Sequence, residues 1–82
     1  MTEAAIIAER VLDVREIPPY QRHEIIPRLF DQLAVGAAMQ IVVDHDPRPL
    51  RQFFAAVHGD DCEWSYLEQG PDVWRVRLRR AA

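Results

Sequence analysis

Cysteine is scarce in this sequence, which has only Cys62 among its 82 residues. A single thiol cannot close an internal disulfide, and the paired-cysteine spacing of a zinc site is absent. Apolar runs are also short, four or five residues at most, whereas a membrane-spanning helix needs about 20. The N-terminal segment has no basic region ahead of a long apolar stretch, so we expect no signal peptide. These absences predict a cytoplasmic protein with no membrane partner.

The composition, with 49% hydrophobic and 28% charged residues, is typical of a globular protein. The length predicts one domain with a modest core, stable only marginally unless it dimerises or docks on a partner. We expect residues 1–9 to form a tail or an edge segment, and residues 10–82 to form the domain. The net charge of −3 argues against nucleic acid as a partner, because that role usually needs a basic domain.

Hydrophobic periodicity predicts the order strand, helix, strand, helix, strand, strand. Residues 10–16 alternate as a strand, and apolar gaps of three and four predict a helix from Tyr20 to about Leu33. Pro27 interrupts that helix, so it lies either in the first turn of a helix starting near Glu24 or at a kink. Residues 39–44 form a buried strand. A strand–helix–strand crossover is right-handed, so the first two strands should be parallel.

The remaining chain predicts a second helix over residues 47–59 and a hairpin over residues 62–80. The inner stripe of that helix is expected to be Leu50, Phe53, Phe54 and Val57. In the hairpin, alternate side chains should face the core, namely those of Cys62, Trp64 and Tyr66 on one strand and Trp74, Val76 and Leu78 on the other. Arg75, Arg77 and Arg79 alternate on the opposite side of the last strand, where we expect them to face solvent. Such charges are also typical of an edge strand, because they hinder aggregation. The fold class is therefore α+β, a two-layer sandwich of a four-stranded mixed sheet with two helices on one face.

Polar side chains converge where the first two strands end. Ligands of open α/β sheets favour this edge, and both helix N-termini point there. We call this edge the rim. The candidate ligand-binding residues of the rim are Arg15, Arg22, His23, Asp44, His45, Asp46 and Arg48.

Each rim residue also has a structural interpretation. Asp46 before Pro47 is typical of a helix N-cap with proline at the first helical position. Asp44 is expected to pair with Arg15 or Arg22. His45 has three open roles, namely metal ligand, proton-transfer group, or donor to a neighbouring carboxylate. A transition metal would need a partner such as His23, and a bound anion is equally open.

Two other residues have mainly structural interpretations. His58 precedes Gly59 at the end of the second helix, where an imidazole interacts with the carbonyl end of the helix. Cys62 has no adjacent helix N-terminus or histidine in the sequence, so nothing indicates an activated thiol.

Three segments, LDVREIPPYQRH, DHDPRPL and WSYLEQGPDVWRV, resemble a bacterial domain of unknown function, family number twenty-two forty-nine. The resemblance runs from about Leu12 to Arg79. It implies a fold related to the TusA/SirA sulfur carriers, and no established activity. Members of the family also occur beside hemerythrin-like domains, which implies such a partner and a metal-linked redox or nitrogen-oxide-related role.

One departure from the sulfur carriers decides against their chemistry. Those proteins have Cys-Pro-x-Pro between the first strand and the first helix, and the cysteine carries a persulfide. This chain has Ile17, Pro18, Pro19 and Tyr20 there, so no thiolate is available at that position.

Three functional hypotheses follow from the sequence. The favoured one is a binding or adaptor module that uses the rim for a small ligand, an anion, a metal or a partner domain. The second is an enzyme or sulfur-relay carrier acting through His23, His45 and the aspartates, although no nucleophile–base–orienter arrangement is visible. The third and weakest is a nucleic-acid binder that uses the arginine face.

Overall fold

The computed structural model describes residues 9–82, and the predicted tail or edge segment lies almost wholly outside them. The predicted order of elements and the fold class are confirmed. The elements are β1 (Arg10–Asp13), α1 (Pro19–Asp31), β2 (Ala38–Val43), α2 (Arg48–Val57), β3 (Cys62–Gln69) and β4 (Trp74–Arg80). Single 3-10 turns follow β1 at Val14–Glu16 and α2 at Gly59–Asp61. No helix in this part of the chain is long and apolar enough to cross a membrane.

The four strands lie in the order β1-β2-β4-β3. β1 and β2 are parallel, as predicted, while β4 is antiparallel to both β2 and β3. The interpretation of β4 as an edge strand is wrong, because the hairpin inserts β4 beside β2 and leaves β3 outside. Within residues 9–82, the edges of the sheet are therefore β1 and β3.

Most element boundaries lie within one or two residues of the prediction, and two of the differences have a clear local cause. β1 ends at Asp13 rather than at residue 16, because the Asp13 carboxylate accepts the Arg15 backbone N–H and starts a 3-10 turn. α1 begins at Pro19. Proline is tolerated at the first helical position, because the backbone N–H that it lacks would have no partner within the helix. Pro27 consequently lies inside the helix and not in its first turn.

Both helices pack on one face of the sheet, and the core lies between the two layers. The rings of Phe30 and Phe54 meet edge to face, with their centroids 5.1 Å apart, and join α1 to α2. The buried core cluster consists of Val14, Ile26, Phe30, Met39, Ile41, Val43, Leu50, Phe54, Val76 and Leu78. Burial of such side chains stabilises the fold by about 1.5–3 kcal/mol each.

The inner stripe predicted for α2 is only half correct. Leu50 and Phe54 are buried, but Phe53 is 38% exposed and Val57 is 59% exposed. The helix rests on the sheet along the line of Leu50, Phe54 and His58, which places Phe53 and Val57 to one side of it. Part of the apolar surface of α2 therefore faces solvent.

Three alternate arginines of β4, Arg75, Arg77 and Arg79, lie on the sheet face opposite the helices, and each has a carboxylate partner. Arg77 pairs with Glu9 at 2.7 Å. Arg79 pairs with Glu63 at 3.0 Å, and the Nε of Arg75 lies 3.8 Å from a carboxylate oxygen of Glu68. Because β4 is an interior strand, residues on both sides of it supply these acids. The face is an ion-pair ladder and not a free basic stripe.

Candidate functional site

The rim exists, but the first turn of α2 divides it into two depressions. We call the first the interhelix pocket. It has a volume of about 70 Å³ and lies between the N-terminal turns of α1 and α2. Its lining consists of Val14, Arg22, His23, Ile26, Val43, His45, Pro47, Pro49 and Leu50. We call the second the hairpin groove, which is an open groove of about 540 Å³ between α2 and the β3–β4 hairpin. Its lining consists of Asp46, Arg48, Arg51, Gln52, Ala55, Tyr66, Gln69 and Trp74.

The interhelix pocket brings together three of the predicted site residues, Arg22, His23 and His45, on walls that are otherwise apolar. The Nε of Arg22 donates to the Ile17 carbonyl at 2.8 Å, which holds the half-buried guanidinium in place. The remaining N–H groups of that guanidinium are the donors available to a ligand. The pocket therefore has a fixed positive charge and two imidazoles at its mouth.

Asp44 orients one of these imidazoles. Its Oδ1 lies 2.7 Å from the Nδ1 of His45, so Nε2 is the ring nitrogen left for a ligand. The hydrogen bond from His45 lowers the pKa of Asp44 below its ordinary value, and the charge of Arg22 lowers that pKa further. Asp44 is consequently ionised at neutral pH, and its carboxylate accepts the Nδ1–H of His45. Of the three roles left open for His45, donation to a neighbouring carboxylate is the one that the geometry shows.

The predicted pairing of Asp44 with Arg15 or Arg22 is wrong. Arg15 instead binds Asp13, two residues before it in the 3-10 turn, with an Nη2–Oδ2 distance of 2.6 Å. This hydrogen-bonded ion pair lowers the pKa of Asp13 to about 2. Arg15 lines neither the interhelix pocket nor the hairpin groove.

Asp46 is not the side-chain cap that its position before Pro47 predicts. A capping side chain accepts a hydrogen bond from the backbone N–H two or three residues further on, and for Asp46 those positions are Arg48 and Pro49. Pro49 has no N–H, and the N–H of Arg48 donates to the Asp46 backbone carbonyl at 2.8 Å. The carboxylate instead accepts the hydroxyl of Tyr66 at 2.7 Å, and its other oxygen lies 3.6 Å from Arg48. Pro47 occupies the N-cap position without a side-chain hydrogen bond.

Tyr66 is the centre of the hairpin groove. Burial, together with the hydrogen bond to Asp46, raises its pKa above the ordinary value, so the hydroxyl remains a donor. The guanidinium carbon of Arg51 lies 5.6 Å from the centroid of the Tyr66 ring, within cation–π range. The groove therefore combines two guanidinium groups with one carboxylate that is already hydrogen-bonded.

The sequence did not identify Arg51, Tyr66, Gln69 and Trp74 as rim residues. Tyr66 and Trp74 alternate as core positions, and they are indeed packed against the core. Their polar edges reach the rim because the turn end of the hairpin lies beside the carboxyl end of β2, where Val43 pairs with Trp74. The alternation was visible in the sequence, but the place of the hairpin in the sheet was not.

The metal hypothesis has a pair of residues but no complete ligand set. His23 and His45 line the same pocket. However, residues 9–82 contain no group of three histidine, cysteine, aspartate or glutamate side chains placed to hold a metal ion. A transition metal at His23 and His45 remains a prediction that needs ligands from solvent or from a partner.

Cys62 and His58 lie away from the rim. Cys62 pairs with Arg80, at the end of the β3–β4 ladder opposite to the hairpin turn. Burial raises the pKa of its thiol to about 11, and the neighbouring charge of Glu63 adds to this effect. His58 is the C-cap residue of α2, with its N–H donating to the Phe54 carbonyl and its ring stacked on that of Phe54.

The two helices lie on one face of a four-stranded mixed sheet, with a small pocket between the helix N-termini, and this arrangement defines a two-layer α+β domain. The family model described as "Uncharacterized conserved protein (DUF2249)" matches residues 11–80. The chain belongs to that family, as its sequence resemblance predicted. No curated protein and no solved structure matches the chain. The relation to the sulfur-carrier fold therefore stays a prediction.

Proposed function

We propose that this domain is a small binding module that binds a small anion in the interhelix pocket. The observation that carries the proposal is the convergence of Arg22, His23 and His45 on one pocket with apolar walls. Guanidinium is charged at every physiological pH, and imidazole gains charge as the pH falls below about 6.5. Low-polarity walls strengthen the attraction between such groups and an anion, because water screens them less.

The size of the pocket restricts the ligand. The pocket volume of about 70 Å³ is well below the range of about 300–1,000 Å³ that is typical of pockets for drug-sized ligands. A carboxylate or an inorganic oxyanion fits this space and matches the N–H groups of a guanidinium in geometry. A larger molecule would have to leave most of its atoms outside, with only its anionic end in the pocket.

A sulfur-relay carrier is the less favoured candidate. Persulfide chemistry needs a thiolate, whereas the thiol of Cys62 has a pKa of about 11 and lies at the other end of the sheet. A metal-linked role beside a hemerythrin-like partner rests on the family resemblance alone.

Nuclear magnetic resonance titration of ¹⁵N-labelled protein with sodium acetate and with sodium phosphate, at constant ionic strength, tests the proposal. We expect saturable amide shifts confined to the residues that line the interhelix pocket. Arg22→Gln should weaken binding tenfold or more, because a hydrogen bond to a charged group contributes about 1.5–3 kcal/mol. His45→Gln should weaken it by a smaller factor, and this variant leaves the hydrogen bond of Arg22 to Ile17 intact.

Arg28→Gln is the matched control. Arg28 lies on the same helix and pairs with Glu24 at 3.0 Å, but it does not line the pocket. Its substitution should leave the dissociation constants unchanged. Shifts that rise linearly without saturation, or equal weakening by Arg22→Gln and Arg28→Gln, would show that the pocket is not an anion site.

A further inference from the structure

The hairpin groove is the larger of the two depressions, and the proposed function does not use it. Its volume of about 540 Å³ falls within the range of about 300–1,000 Å³ that is typical of small-molecule sites. One wall is a single stripe of α2 with the helical spacing i, i+3, i+4 and i+7, and it consists of Arg48, Arg51, Gln52 and Ala55. The other wall is part of the hairpin and consists of Tyr66, Gln69 and Trp74.

The groove has an excess of positive charge. Its lining contains two guanidinium groups and one carboxylate, that of Asp46. This carboxylate accepts the Tyr66 hydroxyl at 2.7 Å, and its other oxygen lies 3.6 Å from Arg48. The side chain of Arg48 is 73% exposed, so its N–H groups are available to a ligand. The three alternate arginines on the opposite face of the sheet differ, because each of them has its own carboxylate partner.

The aromatic part of the groove is held in a fixed arrangement. The rings of Tyr66 and Trp74 meet edge to face, with their centroids 6.1 Å apart. Gly70 leaves room for the indole, because a Cβ atom at this position would lie 2.9 Å from the indole ring. The guanidinium carbon of Arg51 lies 5.6 Å from the centroid of the Tyr66 ring. These contacts orient the groove before a ligand binds, which lowers the entropic cost of binding.

We propose that the hairpin groove binds a small phosphate monoester that carries a heteroaromatic ring. Two guanidinium groups match the charge of a phosphate monoester, which is about −2 above its second pKa of about 6, and guanidinium binds phosphate oxygens in pairs. The ring of the ligand then lies against Tyr66 and Trp74, where aromatic contacts and apolar burial add to the affinity. The side-chain amides of Gln52 and Gln69, one on each wall, offer donors and acceptors to the polar atoms of such a ring. This inference goes beyond the proposed function, since it concerns a different depression and a different ligand.

Nuclear magnetic resonance titrations of ¹⁵N-labelled protein, at pH 7.5 and constant ionic strength, test the proposal. The probes are the 5′-monophosphates of uridine, adenosine and riboflavin, whose ring systems increase in size. We expect at least one probe to give saturable shifts of the Trp74 indole N–H and of the amides that line the groove, with a dissociation constant in the micromolar to millimolar range because the groove is open. Ribose 5-phosphate, which lacks the ring, should bind tenfold or more weakly than that probe. If none of the three probes saturates the groove, or if ribose 5-phosphate binds equally well, the proposal is wrong.

Charge variants separate this ligand from the small anion of the interhelix pocket. Arg51→Gln should weaken binding of the best probe tenfold or more, whereas Arg22→Gln in the interhelix pocket and Arg28→Gln outside both depressions should leave it unchanged. Asp46→Asn should strengthen binding several-fold, because the amide oxygen still accepts the Tyr66 hydroxyl while the negative charge is removed. A misfolded variant could not produce such a gain. Equal weakening by Arg22→Gln and Arg51→Gln, or weaker binding by Asp46→Asn, would overturn the proposal.

Discussion

The hydrogen bond between Tyr66 and Asp46 allows a direct test of what Asp46 does. Its hydroxyl–carboxylate distance is 2.7 Å, and it joins β3 to the segment that leads into α2. If the bond stabilises the fold, Asp46→Ala and Tyr66→Phe remove the same interaction. The free energy of unfolding lost in the double variant should then be smaller than the sum of the two single losses.

The magnitude follows from the chemistry and the burial of the pair. Hydrogen bonds to charged groups contribute about 1.5–3 kcal/mol. The side chain of Asp46 is 28% exposed, so screening by water brings the coupling below this range, and we expect about 1 kcal/mol. The weak approach of Arg48 to Asp46 affects the single Asp46→Ala loss but cancels in the cycle. For a domain of this size, 1 kcal/mol corresponds to a change in Tm of about 4–8 °C.

Urea unfolding followed by tryptophan fluorescence and far-ultraviolet circular dichroism measures all four proteins of the cycle. Tyr20→Phe is the control, because the Tyr20 hydroxyl is exposed and accepts only a 3.4 Å contact from Gln21. It should change the free energy of unfolding little. If Asp46→Ala costs about 1 kcal/mol while the coupling to Tyr66→Phe is near zero, the carboxylate acts as a helix cap and our interpretation is wrong.

Two further predictions concern acid stability and thiol reactivity. Arg15 lowers the pKa of Asp13 to about 2 in the folded chain, against about 3.9 in the unfolded chain. The ionised Asp13 side chain therefore stabilises the fold above pH 4, and this stabilisation is lost as the pH falls toward 2. Asp13→Asn should therefore flatten the fall in urea stability over that range, and an unchanged slope would contradict the pairing. Because the pKa of Cys62 is raised to about 11, iodoacetamide at pH 8 should alkylate the native chain slowly and the urea-unfolded chain rapidly. Mass spectrometry measures both rates, and fast native labelling would show an activated thiol.

Periodicity was sufficient to predict the order of the elements and the layer architecture. Gaps of three and four residues define α1, and alternation defines the β3–β4 hairpin, because each helix or strand must turn its apolar side to the core. The order of the strands could not be predicted in this way. Placing β4 next to β2 depends on packing between distant segments, to which local alternation is insensitive.

The candidate site was predictable only where it depends on topology. Parallel pairing of β1 and β2 brings Arg22, His23 and His45 to one pocket, as the sequence indicated. The same reasoning grouped Asp46 and Arg48 with them, although both line the hairpin groove. Their separation depends on where the hairpin lies, so it could be seen only in the folded chain.

Asp46 shows why a sound local rule can fail. The capping preference assumes free N–H groups two and three residues further on. Here one of those positions is Pro49, and the N–H of Arg48 is taken by the Asp46 backbone carbonyl. The sequence contained this information, because a proline at the third position removes a donor that a cap would use.

The first turn of α2 belongs to both depressions. Pro47, Pro49 and Leu50 line the interhelix pocket, while Arg48 and Arg51 line the hairpin groove. The helical period of 3.6 residues turns these two sets to opposite sides of the same turn, and the two prolines restrict its backbone. The two depressions can therefore be altered separately. Arg22 lies on α1, so its substitution changes the interhelix pocket and leaves the lining of the hairpin groove intact.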